Sequence, residues 1–161
     1  MAGLDEGLVP LYLLAFGSGM VIGTPLGGRL ADWSVFRSVL VGSVLMGLTL
    51  VAFTTTSQWF LPGLLTVFLL STFSSVLVVG LQMRLMRVAG DAQTIGAAMN
   101  HASLNIANAL GAWLGGVVVA AGFGYRSPAW VGAGLSLAGL VVLLVSATLH
   151  RRTTRADAVS A

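Results

Sequence analysis

The stretch WFLPGLLTVFLLSTFSSVLVVGLQ, residues 59–82, carries no charged side chain from end to end. Wound as a helix it is about 36 Å long, enough to cross a hydrocarbon core of ~30 Å. Pro62 sits near its start, where a missing N–H costs little, and Arg84 and Arg87 follow its end. The same unit recurs on both sides. Apolar blocks occupy residues 8–30 and 38–56 before it and 94–121 and 128–149 after it, with short polar gaps between them.

Composition agrees with this pattern. Of 161 residues 57% are hydrophobic and 8% charged, whereas a soluble domain carries roughly a quarter charged. Lys is absent and Glu occurs once, so there are too few charges to cover a water-facing surface. Lipid must be the solvent, which excludes a soluble bundle. The expected fold is an all-α integral membrane protein with five transmembrane helices, one membrane domain over residues 1–161. A polar cytoplasmic tail is expected at 150–161. Pro25 lies inside the first helix and is expected to kink it.

The arginines orient the chain. Arg29, Arg37, Arg84, Arg87, Arg151, Arg152 and Arg155 fall on one side of the five blocks, and only Arg126 falls on the other, with Asp5 and Glu6. By the positive-inside rule the C-terminus is cytoplasmic and the N-terminus outside. Trp59, Tyr125 and Trp130 then mark the outer interface and Trp33 the inner one. The net charge of +3 thus reads as a topology signal and not as a nucleic-acid surface.

An acidic N-terminus outside, without the positive charge of a secretory signal, lacks a route across the membrane. A preceding helix would supply one. Leu26-Gly27-Gly28 in the first block recurs as Leu114-Gly115-Gly116 in the fourth. Paired repeats are common in transporters, and two helix triplets less one helix give five.

The segments FGSGMVIGTPLGGRLADWSVFR (16–37), LQMRLMRVAGDAQTIGAAMNHASLNIANALGAWLGG (81–116) and GYRSPAWVGAGLSLAGL (124–140) resemble the C-terminal half of major facilitator superfamily transporters. The likeness is to the bacterial drug and sugar efflux branch, arabinose-efflux-like and chloramphenicol-efflux-like. It covers about residues 4–152 and implies the last five of twelve helices. The segment GGRLADWSVFR is similar to the family's cytoplasmic loop motif, with Gly28, Asp32 and Arg37 matching; Trp33, Val35 and Phe36 stand where the family has basic and glycine positions. The resemblance implies a multi-pass protein of the bacterial inner membrane. It also implies a missing N-terminal half as partner and a small-molecule substrate, exported by proton-coupled alternating access in the full-length protein. The rival is a standalone five-helix accessory or assembly subunit without transport activity; seven further apolar blocks in frame upstream would decide between them.

Gly19, Gly23 and Gly27 form a small-xxx-small ridge on the first helix, and Gly111 and Gly115 a second on the fourth, where other helices are expected to approach closely. His101, Asn105 and Asn108, at i, i+4 and i+7, share one face of the fourth helix. Polar groups at membrane depth need partners or a water-filled cavity, so this stripe reads as the wall of a substrate pathway or as hydrogen-bonding glue between helices. Ser75 and Gln82 on the third helix, with Thr72, form a second stripe, although Ser and Thr also bond back to their own helix. His101 is the one imidazole inside the apolar blocks. An imidazole suits proton exchange, while the plainer role is a neutral hydrogen-bond partner. With no Cys, two His and no carboxylate in an apolar block, no metal site, cofactor site or enzyme centre can be assembled.

The arginine asymmetry yields a first prediction. Ser34→Cys and Gln93→Cys should react with an impermeant maleimide only from the cytoplasmic side, and Ser57→Cys only from outside. Labelling of Ser57→Cys from the cytoplasm would overturn the orientation.

Overall fold

A computed structural model describes the backbone of residues 6–159 and the side chains of residues 7–146 and 148. The expectations for Asp5 and for the side chains of Glu6, Arg151, Arg152 and Arg155 lie outside the described residues. A 3-10 turn at Glu6–Leu8 leads into four helices: α1 (Val9–Thr56), α2 (Phe60–Ala89), α3 (Gln93–Ala120) and α4 (Ser127–Val159). A second 3-10 turn, Gly90–Ala92, separates α2 from α3. Among the described residues the fold is all-helical, and three stretches are long and apolar enough to cross a membrane: Val9–Thr56, Phe60–Ala120 and Ser127–Ser146.

The expected blocks 8–30 and 38–56 appear as two limbs of α1. Straight, its 48 residues would reach about 72 Å. They do not, because Ser34 leaves the helix (φ −166°, ψ 109°). The Ser34 side chain then accepts the Arg37 backbone N–H at 3.4 Å, the position of an N-cap for the limb that follows. The Arg37 guanidinium stacks over Trp33 at 5.0 Å from the ring centroid. Both ends of α1 meet the start of α2, so the limbs reverse at Ser34. The Tyr12 hydroxyl donates to the Phe60 carbonyl at 3.3 Å, and Thr56 and Thr66 hydroxyls lie 3.1 Å apart. The polar segment 31–37 is therefore no loop. Helix persists on both sides of a single extended residue.

α2 packs between these limbs through glycine. A Cβ placed on Gly23 would stand 2.5 Å from the Thr72 carbonyl and 2.9 Å from Ser75 Cβ; one on Gly27 would stand 3.0 Å from Val76 Cα. Gly19 abuts Phe68 and Ser71 in the same way. Against the second limb, a Cβ on Gly80 of α2 would meet Val39 Cγ2 at 3.0 Å, and one on Gly42 of that limb would meet Leu77 Cα at 3.4 Å. α2 runs past the expected Gln82 to Ala89, taking Arg84 and Arg87 into the helix. Arg is a good helix former, and the helix stops where Gly90 adopts φ 54°.

α4 lies antiparallel on the second limb, since Gly132 meets Leu50 while Ser136 meets Gly47 and Ser43. Its backbone stays helical beyond 149 to Val159. The α3–α4 turn contains Gly122 and Gly124 at φ 84° and 82°, a left-handed conformation that glycine adopts without penalty.

Among the described residues the interior is small and partly polar. Ala31, Val35, Val39, Ser38, Ser71 and Thr72 are buried, whereas Leu13, Leu14, Val21 and Leu61 are each at least 66% exposed. Large apolar side chains outside and small ones inside suit a lipid solvent, where close packing and not the hydrophobic effect holds helices together.

The ridge yields a second prediction. Gly23→Leu must displace backbone, so its cost should exceed the ~1–3 kcal/mol of ordinary overpacking and lower the folding equilibrium constant more than about tenfold, with a visible loss of folded protein. Gly17→Leu, where a Cβ meets nothing within 4 Å, should leave it near wild type. Size-exclusion recovery of the solubilised protein reads both; equal recovery would refute the ridge.

Candidate substrate-pathway face

α3 is tied down at its two ends. Near its start a Cβ on Gly96 would sit 2.9 Å from Ala89 Cβ and 3.2 Å from the Leu85 carbonyl, and Asn100, one turn on, is 3% exposed. Near its end the nearest neighbour of a Cβ on Gly115 is Pro128, at 3.6 Å. Between them the helix stands largely clear, and His101, Asn105 and Asn108 are all exposed. At about 100° per residue this stripe lies roughly 120° around the helix from the Gly96–Asn100 face that meets α2. The expected clustering on one helical face is present, and that face is turned away from the packed side of α3.

The other expected residues lie elsewhere. Ser75 donates to the Ser71 carbonyl at 2.9 Å and Thr72 to the Phe68 carbonyl at 2.8 Å, so both hydroxyls are satisfied within α2. Ser75 also lines a cavity of about 280 Å³ between the first limb and α2, with Phe16, Met20 and Thr24, and no α3 residue reaches it. Gln82 is half-buried on α2. Ser75 and the α3 stripe therefore do not share a wall. Gly28 lies in the first limb with open space where a Cβ would be, Asp32 is exposed just before the reversal and Arg37 just after it. Gly111 has no neighbour within 4 Å of its would-be Cβ.

Two polar features escape a reading of the blocks alone. Arg84 donates from Nη2 to Ser146 Oγ at 2.8 Å, joining α2 to α4 across 62 positions. Its position just past an apolar block suggested only a charge at the membrane surface. Asn100, beside the predicted stripe, is the buried one, and its Nδ2 has no hydrogen-bond partner among the described residues. Spacing shows which polar residues share a face, but it does not show which face is covered.

Comparison with known proteins adds a family to this geometry. The chain is 38% identical over 140 residues to the inner membrane transport protein YdhP of Escherichia coli K12, covering 85% of this chain and 35% of that protein. It is 29% identical over 162 residues to the MFS-type transporter YtbD of Bacillus subtilis, covering 98% of this chain and 40% of the relative. It is 28% identical over 158 residues to the putative transporter AraJ of Escherichia coli K12, covering 94% and 39%. The chain thus spans well under half the length of these relatives. No solved structure gives a significant match. The family model for the Major Facilitator Superfamily matches residues 2–160, and the chain belongs to that superfamily of membrane transporters.

Proposed function

We propose that this chain is the C-terminal portion of a secondary transporter that exports small molecules of drug or sugar type, with five membrane crossings, an outside N-terminus and a cytoplasmic C-terminus. Transport would proceed by rocking of two helical portions about a site between them near the bilayer midplane, coupled to protons in the full-length protein. The observation that carries this reading is the exposed polar face of α3. An imidazole and two amides turned away from the packed side of the helix are costly in hydrocarbon, so they require either water or a protein partner. A pathway between this portion and its complement provides both. His101 is the candidate proton carrier on that face. Family membership supports transport; export, substrate type and coupling belong to the proposal.

The test needs the full-length protein in vesicles, with abundance and transport measured separately. Asn105→Leu and Asn108→Leu should keep near-normal abundance while transport falls about tenfold, the effect of one lost hydrogen bond of ~1.4 kcal/mol. Lost abundance with normal transport per molecule would make the stripe structural and sink the pathway assignment. His101→Gln keeps hydrogen bonding but cannot titrate, so transport should lose its pH dependence; a retained pH profile would exclude His101 as carrier. If the chain inserts and associates but the complete assembly moves no substrate, the accessory-subunit reading replaces this one.

A further inference from the structure

We propose that the groove between the second limb of α1, α2 and α4 receives one apolar transmembrane helix from the part of the longer protein lying outside this chain. This deepens the reading of the chain as a transporter portion and rests on it. The groove encloses about 530 Å³. Its first wall is Leu77, Leu81 and Leu85 on α2, its second Leu135, Gly139 and Val142 on α4, and its floor Val39 and Ser43 on the second limb. Both walls have helical periodicity, i, i+4, i+8 and i, i+4, i+7, the rows that take the side chains of another helix. Along α4 the wall from Leu135 to Ser146 is about 16 Å long. The α2 wall lies on the side of that helix opposite the face that meets the first limb.

No residue of α3 lines this groove, so the one remaining helix of the chain does not fill it. The polar floor asks nothing of an occupant, because the Ser136 hydroxyl already donates to the Ser43 carbonyl at 3.1 Å. Arg84 closes one end of the groove, bridging to Ser146. A cation lining an apolar groove is costly against hydrocarbon. A helix can meet it with the carbonyls of its last turn or with a carboxylate, and the guanidinium, with five N–H donors, can serve these as well as Ser146. The matched relatives run to more than twice the length of this chain, so the longer protein has helices to supply. The occupant is therefore apolar along its length and ends in acceptors at the level of Arg84.

The experiment uses the chain in its native membrane, with Leu81→p-benzoylphenylalanine as photo-crosslinker and mass spectrometry of the adduct. The expected adduct is an apolar peptide from the remaining portion of the same major facilitator protein. Gly139→Trp, which fills the groove, should lower its yield about tenfold while the chain still inserts. An adduct with a second copy of this chain, with lipid alone, or no adduct from a normally inserted chain would overturn the proposal. Transport measured in the same vesicles separates the two readings. Transport with only lipid at Leu81 removes the groove assignment and leaves the transporter reading. The peptide adduct without transport in the wild-type assembly does the reverse.

Discussion

The rest of the structure depends on how closely two backbones approach. Gly19, Gly23 and Gly27 allow the first limb of α1 to lie on the Phe68–Val79 face of α2 with carbonyl and Cα atoms where side chains would otherwise be. In lipid, apolar side chains gain little by leaving their solvent, so helices are held by close contact and by interhelical polar bonds. The large side chains accordingly point outward and the small ones inward. The second limb and α4 then build on that pair with small residues of their own, Gly42, Gly47 and Ser136, and the second limb also meets Gly80 of α2.

This packing leaves an asymmetry. α1, α2 and α4 form a connected body, whereas α3 is anchored at Gly96–Asn100 and near Gly115 and exposes the face between. That exposed face bears the polar side chains, and the groove beside α4 bears the apolar ones. The two surfaces differ in chemistry, with amides and an imidazole on α3 and mostly apolar side chains in the groove. Asn100 is buried with no hydrogen-bond partner for its amide nitrogen among the described residues, while Asn105 and Asn108 are exposed.

Much of this was legible in the sequence because the bilayer imposes a length. Uncharged runs of about twenty residues mark the helices whatever their packing, and the Gly19–Gly23–Gly27 spacing marked the close face of α1. The family was legible in three segments. Three things were not. The reversal at Ser34 looked like a loop because polar residues surround it, yet only one residue leaves the helix. The bridge from Arg84 to Ser146 spans 62 positions, and nothing local announces it. The separation of Ser75 from His101 depends on how α2 is rotated between its neighbours, and periodicity fixes relative positions on one helix but not its orientation toward others. Gly111 and Gly115 share the spacing of the packed ridge without sharing its contacts, which shows that a small-residue stripe permits close approach without requiring it.

The one-residue reversal at Ser34 also makes chain length itself a constraint. A residue inserted into a helix turns everything beyond it by about 100°. In the turn between α3 and α4, residues 121–126, an extra residue can be taken up by bulging outward. Between Gly27 and Gly42 there is no such slack: an insertion would swing Val39 and Gly42 off α2 or pull Gly27 away from Val76. Along this stretch the number of residues is as tightly specified as their identity, and natural variation in length should fall in the turn between α3 and α4 instead.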